Sequence, residues 1–406
     1  MNAYTEIHNF YAGTLVPRLR EKTAHGEKIR VGFMVLYSSV FPAQSLFEAM
    51  LESDVFEPFI VITPDVGRQN RIPEQCRKTA KDLARKYKDL IRMGYDVTNG
   101  TPLDYSDDMD MVYFGTPYAE SLHPKHKIEY FVNKGVLPFH THFTYFGIIT
   151  HERDIIQSSS YNMFWKVFVE SDTVMSLLKK YQPLRGENAV ISGFCRMDPL
   201  VEHVREPHSR KRVILAPSHP VTNDMPGVPY CHFLDYAELF LCLPERYPQI
   251  DFIFRPHPFV LQELKDKVWG EEKTNIYMER LTAHPNLTHD TNPTYLQQFV
   301  DSDALIHDGC SFLAGYFFTD NPQCYMLPEN RNLKDIFDVV GLECLGMVYK
   351  AYSEKGITDF LDSVVLGGRD DMREVRQAFL KNNLMRNHPY VGKSILRHME
   401  EAFSGI

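Results

Sequence analysis

The sequence predicts an α/β fold built from two doubly wound domains, and three observations carry that expectation. Short β-branched or apolar runs alternate with amphipathic stretches along most of the chain, the pattern of parallel β-α units. A segment dense in charge, with Gly and Pro, interrupts this pattern at "GFCRMDPLVEHVREPHSRKR" and marks a linker near residues 195–210. The tail has apolar residues at helical spacing, Val375, Phe379, Leu384 and then Ile395, with "NHPY" between, which reads as two helices packing back over the domains. The expected division is residues 1–200, residues 201–370, and C-terminal helices over 371–406.

In the first half "KIRVGFMVLY", "FEPFIVITP", "DMDMVYFGTP", "KGVLPFH", "WKVFVES" and "ENAVISG" read as strands, and in the second half "RVILAPS", "IDFIFRPHP", "DALIHDG" and "NPQCYML" do the same. Two doubly wound sheets joined by the linker would face each other across a cleft, and in such sheets ligands sit at the carboxyl ends of strands, where helices begin. The N-terminal stretch places Tyr4, Ile7, Tyr11 and Leu15 at helical spacing, a pattern that suits either docking on the fold or lying on a membrane.

Composition narrows the function classes. With 406 residues, 44% hydrophobic and 24% charged, the chain has material for two full cores. Lys plus Arg number 44 against 53 Asp plus Glu, a net charge of -9, which argues against a general nucleic-acid binder. Seven cysteines, an odd number with no CxxC spacing, indicate neither a disulfide framework nor a zinc ribbon and suit a reducing compartment. Nothing at the start reads as a signal peptide, and no run of about 18 apolar residues offers a membrane span, so a cytoplasmic location is expected.

The stretch "LIHDGCSFLAGYFFTDNPQCYML", residues 305–327, begins as a buried strand, breaks at Gly309 and restarts as an apolar helix. A strand-to-helix join of this kind presents free helix N–H groups that suit phosphate. Ser311 and Cys310 stand at the N-cap or first turn, where a hydroxyl can cap the helix or donate to a phosphate oxygen, and Gly309 allows close backbone approach. On the plainer reading Ser311 only caps a core helix and His307 bonds to nearby backbone. A second strand end, "FIFRPHPFV", fixes Arg255 and His257 between prolines. A third, "VLPFHTHFTYFG", carries His140 and His142, which alternate on an extended chain and so share one side. These two imidazoles lack further ligands at metal spacing. His219 and His257 would complete a set only on tight domain closure, and no HExxH or carboxylate-rich spacing is present, so no metal site is expected.

A local exception to the acidic balance is "RQNRIPEQCRKTAKDLARKYKDLIRM", with nine basic and three acidic residues between Arg68 and Arg92 and an apolar helical face at Leu83, Tyr87, Leu90 and Ile91. It reads as a solvated outer helix, or as a surface for an anionic membrane or a polyanionic acceptor.

Five segments in order, "PFHTH" (138–142), "SGFCRMDPL" (192–200), "RVILAPSHP" (212–220), "FRPHP" (254–258) and "ALIHDGCSFLAGYFFTDNPQCYM" (304–326), resemble the motifs of the CDP-glycerol glycerophosphotransferase family, the teichoic-acid and capsule polymerases of GT-B fold. The family motifs read roughly WHGTP, GYPRND, ILYAPTWR, a strand ending in HP, and LITDYSS. The resemblance covers roughly residues 130–330 and implies a GT-B-like fold with an acceptor-side first domain and a donor-binding second domain. His140 falls on the motif histidine taken as the base. Arg196 and Asp198 fall on the Arg and Asp of GYPRND. His257 falls on the HP histidine and Ser311 on the second serine of DYSS, both implied to hold donor phosphates. The sequence departs from the family at Thr141, at Pro217, Ser218, His219 and Pro220 in place of PTWR, and at Asp308, Gly309 and Cys310 before Ser311.

The implied chemistry is transfer of glycerol phosphate or ribitol phosphate from a CDP-activated donor to a hydroxyl of a surface glycan, teichoic-acid or capsule precursor. His140 and His257 are the expected catalytic residues. His142, Arg196, Asp198, Ser218, His219, Arg255, Asp308, Gly309, Cys310 and Ser311 are the expected substrate-binding residues. No obligatory cofactor is expected, with room for Mg²⁺ on the donor pyrophosphate. The partners expected are a CDP-polyol or other nucleotide-activated donor, a glycan or lipid-linked acceptor, and an anionic membrane surface that would make the protein peripheral on its inner face. A glycosyltransferase using a nucleotide sugar and a non-catalytic nucleotide-binding subunit of a polysaccharide assembly complex are the alternatives on the same fold.

Overall fold

The structure, a computed structural model, describes residues 3–39, 41–116, 118–142, 152–222, 231–329 and 331–404. They fall into two compact units, one drawn from residues 1–143, 152–199 and 383–406 and the other from residues 200–382.

The first unit has seven parallel strands: β1 (Ile29–Val35), β2 (Phe56–Ile62), β3 (Ile91–Met93), β4 (Met111–Phe114), β5 (Leu137–Thr141), β6 (Lys166–Val169) and β7 (Ala189–Ile191). Their order across the sheet is β3-β2-β1-β4-β5-β6-β7. The second unit has six: β8 (Lys211–Ala216), β9 (Ile250–Phe254), β10 (Leu287–His289), β11 (Ala304–His307), β12 (Gln323–Met326) and β13 (Tyr349–Ala351), in the order β10-β9-β8-β11-β12-β13. In both sheets the order reverses beside the first strand, which is the doubly wound pattern and leaves a crevice at the carboxyl ends of β1 and β4 and of β8 and β11.

The ten apolar runs read from the sequence all appear as strands. Of the thirteen strands in the two parallel sheets, the three without such a run, β3, β10 and β13, are three residues each, and a two-residue antiparallel pair, Tyr95–Asp96 with Thr101–Pro102, stands apart from both sheets. β3, β10 and β13 are sheet edges, as is β7. An edge strand is covered less completely than a central one, so it needs no continuous apolar run.

Core packing explains why central strands are legible. Phe33 on β1 meets Tyr113 on β4 at 4.9 Å and Phe47 at 5.1 Å between ring centroids, and Tyr113 meets Phe139 on β5 at 5.4 Å. The N-terminal stretch docks on this core: Tyr11 and Leu15 are buried, and the Tyr11 hydroxyl donates to the Met163 carbonyl at 2.7 Å. No described helix is long and apolar enough to cross a membrane.

The tail packs back as expected, although its pattern differs in one place. Helix Val391–Phe403 buries Val391, Ile395, Met399 and Phe403, a stripe at every fourth residue, in the core of the first unit. Helix Arg373–Phe379 belongs to the second unit. There Val375, expected to face inward, is 46% exposed, and the buried position goes to Arg376. The Arg376 guanidinium donates to the Asp370 carboxylate at 2.6 Å and to the Asp320 carbonyl at 2.7 Å, which satisfies a charge that could not otherwise be buried.

The C-terminal helix lies so close to helix Gln44–Leu51 that only glycine fits at its start. A Cβ on Gly392 would stand 2.5 Å from the Ser45 carbonyl carbon and 2.6 Å from the Leu46 nitrogen. Gly392→Ala therefore overpacks backbone against backbone and is expected to cost about 1–3 kcal/mol. Gly346→Ala is the control, because a Cβ there meets nothing within 4 Å; it should leave stability unchanged or raise it by about 0.4–1 kcal/mol. Urea midpoints of the two variants measure the difference.

Candidate functional site

In the first unit the histidine pair is set by strand register. β4 and β5 pair so that Phe114 lies opposite His140, and the His140 Nδ1–H donates to the Phe114 carbonyl at 2.7 Å. A carbonyl can only accept, so this bond fixes the proton on Nδ1 and the lone pair on Nε2. The ring is fully buried, stacked on Phe164 at 5.0 Å, and burial lowers its pKa to about 4 against the pull of the Phe114 carbonyl. His142 shares the same side, as alternation on a strand requires. Its Nδ1 meets the Tyr161 hydroxyl, and Tyr161 also stands edge-on to His140 at 5.6 Å. Burial and then the neighbouring His140 hold the His142 pKa well below the usual imidazole value. Both rings are neutral at physiological pH. The rest of "HTHFTYFG", from Phe143 on, lies outside the described residues.

Arg196 and Asp198 belong to another network of the first unit. Both lie on the 3-10 helix Cys195–Glu202, where Arg196 is half-buried. Asp198 is buried, and one of its oxygens accepts from the Ser45 hydroxyl and from the Gly392 N–H, each at 2.8 Å; the other lies 3.5 Å from His388 Nδ1. The carboxylate thus clasps the first turn of the C-terminal helix, where negative charge is favoured by the exposed N–H groups. Gly193 serves the same clasp, since a Cβ there would fall 2.0 Å from the Arg386 carbonyl oxygen.

In the second unit, β8 and β11 pair with Ala216 opposite His307, which brings the residues that follow, Ser218 and Asp308, together at the crevice. Asp308 is fully buried. Its two oxygens accept the backbone N–H of Ser218 and of His232, both at 2.6 Å, and its own carbonyl accepts the Tyr325 hydroxyl at 2.7 Å. Burial pushes the carboxyl pKa up to about 6, opposed by His232 and the backbone N–H bonds. His307 is also buried, between the Gly309 carbonyl at 3.1 Å and Gln323 Oε1 at 2.9 Å, with burial lowering its pKa to about 4. Cys310 turns inward too, its sulfur 3.8 Å from the Tyr325 hydroxyl.

Three of the four polar residues on the hinge, His307, Asp308 and Cys310, therefore hold the join from inside. Ser311 is half-buried, and its hydroxyl has no hydrogen-bond partner among the described residues, nor has that of Ser218. The helix itself differs from the expected one: Cys310–Leu313 is a single α-turn that passes into the 3-10 helix Gly315–Thr319, with Gly309 as N-cap and no side-chain cap. Gly309 has an ordinary φ of -90°, and a Cβ on it would sit 3.5 Å from Ser218 Oγ, a normal contact, so its small size is tolerated rather than required.

His219 and His257, at the ends of adjacent strands, stack at 4.0 Å with 26° between ring planes. His257 Nδ1 accepts the Phe259 N–H at 3.3 Å, which leaves Nε2 to carry the proton of the neutral ring. Glu263 Oε1 lies 3.4 Å from His219 Nδ1 while its other oxygen accepts the Val221 N–H at 2.8 Å. Arg255 stands at the end of β9, as expected, with its guanidinium held by the Asp290 carboxylate and the Asn292 carbonyl. Its charge is thus already paired. Among the described residues no group of three or more His, Cys, Asp or Glu is placed to hold a metal ion.

Sequence reasoning missed Tyr161, His232, Glu263, Gln323 and Tyr325. None stands in a motif of its own chemistry, and each reaches the site only through tertiary contact.

Solved enzyme structures match most of this chain. A wall teichoic acid polymerase, TagF, in a structure soaked with CDPG, matches 99% of this chain and 97% of its own with a TM-score of 0.60 at 11% identity. The fold is GT-B. The same GT-B arrangement is found in a Staphylococcus aureus MnaA–UDP structure (TM-score 0.58, 11% identity, 93% of this chain and 98% of that one). It also occurs in the Neisseria meningitidis UDP-GlcNAc 2-epimerase bound to UDP-GlcNAc (TM-score 0.57, 12% identity, 92% and 99%). No protein-family model matches the chain, and no curated protein sequence is significantly similar to it. The resemblance carried by the five motifs thus has a counterpart among GT-B structures, alongside enzymes of nucleotide-sugar chemistry.

The Asp308 carboxyl titrates above the usual value of about 3.9, so as pH falls the folded state takes up a proton before the unfolded chain does. Its destabilising effect is full above the folded pKa and is relieved as pH drops toward the unfolded one. Between pH 7 and about 4.5, wild type should gain about 2 kcal/mol of stability relative to Asp308→Asn, read from denaturant midpoints at each pH. A difference that stays flat with pH would show that the carboxyl is not shifted upward.

Proposed function

We propose that the chain transfers a polyol phosphate from a CDP-activated donor to a hydroxyl of a cell-surface polymer precursor. The reading is supported by the order of the five motifs and, above all, by His140: a neutral imidazole with its tautomer fixed by the Phe114 carbonyl is what a general base needs. In the proposed step the acceptor O–H bond breaks as its proton passes to His140 Nε2. The acceptor oxygen bonds to the β-phosphorus, and the bond from that phosphorus to the bridging oxygen breaks, releasing CMP. No covalent intermediate is required.

The second unit supplies the donor-holding groups in this reading. Ser218 and Ser311 offer hydroxyls, and the stacked His219 and His257 offer ring N–H donors at neighbouring strand ends. Asp308, Cys310 and His307 act by shaping the loop, and Arg255, paired to Asp290, by holding the strand end. Asp198 likewise acts through the fold. Mg²⁺, where the reaction uses it, would ride on the donor pyrophosphate.

A sugar-transferring enzyme is the second reading, favoured by His219 and Pro220 standing where the family motif has its Trp and Arg. The released nucleotide separates the two. Incubation with CDP-glycerol, CDP-ribitol and common nucleotide sugars should yield CMP from a CDP-polyol; a nucleoside diphosphate from a sugar donor would replace this proposal with the second.

His140→Ala should lower turnover by about 10²–10⁴-fold with donor affinity little changed, and His142→Ala should be milder. Because burial holds the ring's pKa at about 4 in the enzyme without donor, kcat/KM should stay level from neutral pH down to about 5 and fall only below it. The kcat limb should lie higher, since donor phosphates near the ring favour the imidazolium. A kcat/KM limb near the ordinary imidazole value would assign the base to a different histidine.

His257→Ala should reduce kcat/KM while leaving the thermal midpoint within a degree or two, because a half-buried loop ring contributes little to the core. Unchanged turnover would remove His257 from the site.

A further inference from the structure

Helix Ile72–Tyr87 has two faces of opposite chemistry. Ile72, Cys76, Leu83 and Tyr87 are buried in the core of the first unit. Successive residues of an α-helix turn by about 100°, so Arg77, Lys78, Lys81, Arg85 and, at the C-cap, Lys88 fall within about 100° of one another on the opposite side. All five are exposed, and none makes a hydrogen bond or ion pair among the described residues. Their neighbour Lys86, further round the helix, is paired to Glu48 at 2.5 Å. Of the acids in the segment, Glu74 and Asp89 stand beyond the two ends of the row, and Asp82 accepts the Ser38 hydroxyl at 2.9 Å. At 1.5 Å per residue the row is roughly 16 Å long and one side chain or two wide. Such a row of unpaired cations runs against the field of a protein whose net charge is -9.

We propose that this row binds a linear, base-free phosphodiester or polyphosphate chain lying along the helix. The shape of the charge selects the partner. A single strand carries its negative charges in a line that matches the row, whereas an anionic membrane presents a plane of charge far wider than a row one side chain or two across. A helix that lies on a membrane also keeps its apolar face for the acyl boundary, and here that face is spent on the core. Single-stranded nucleic acid is bound with aromatic side chains stacked on the bases, and no aromatic residue stands on the exposed face. This assignment rests on surface charge and is independent of the donor chemistry.

Fluorescently labelled long-chain polyphosphate and vesicles of phosphatidylglycerol with phosphatidylcholine are the two probes, each titrated with the full chain. Five neutralised phosphates on a single strand give a slope of log affinity against log salt of about -3.5, so polyphosphate affinity should fall roughly 100-fold between about 50 and 200 mM salt. The combined Arg77→Gln, Lys78→Gln, Lys81→Gln, Arg85→Gln and Lys88→Gln variant should keep its thermal midpoint, lose polyphosphate binding by at least about 100-fold at the lower salt, and lose the slope. Wild-type affinity and slope in this variant would overturn the proposal. Vesicle binding by wild type without polyphosphate binding would overturn it as well, and give the surface to the membrane.

Discussion

A carboxylate taken out of water loses several kcal/mol of hydration unless hydrogen bonds replace it. Asp308 replaces it with two backbone N–H groups from different segments, those of Ser218 and His232. One buried side chain therefore fixes the loop after β8, the start of helix Phe233–Arg246 and the turn after β11 in a single arrangement. Everything offered at that crevice depends on it. The Ser218 hydroxyl, the His219 ring beside it and the Ser311 hydroxyl beyond Gly309 all sit on backbone that Asp308 or its Tyr325 partner holds.

The first unit is organised by a comparable tie at a different place. Asp198 joins helix Gln44–Leu51 to the first turn of helix Val391–Phe403, and Gly193 and Gly392 let these segments approach at backbone distance. The last stretch of the chain is thereby part of the core of the first unit, where its Val391, Ile395, Met399 and Phe403 lie. A motif that resemblance links to substrate thus has a full structural use in this chain. Arg196 lies half-buried on the same 3-10 helix.

Burial and hydrogen bonding divide the histidines by role. His140, His142 and His307 are enclosed and neutral, with tautomer or orientation set by a carbonyl, a tyrosine or a glutamine. His219 and His257 are less enclosed and stack on each other. A GT-B fold supports both phosphoryl and glycosyl chemistry, so these local environments, rather than the fold, separate the possible reactions.

Periodicity alone determined the two doubly wound sheets and ten of their strands, all of the inner ones and the edge β7, because a strand covered on both faces must be apolar along its whole length. It also placed the polar residues at strand ends and His140 and His142 on one side, since alternation is a local property of extended backbone. The three-residue edges β3, β10 and β13 carried no such signal. What only the tertiary structure decided was direction and pairing. Asp308, Cys310 and His307 point into the hinge, Arg255 is taken by Asp290, and Arg376 displaces Val375 from the buried face. A hydrogen-bonding side chain reads the same in sequence whether its partner is a ligand or a backbone N–H ninety residues away, as for Asp308 and Ser218. Burial and the partner's position, both products of the folded chain, are what distinguish the two.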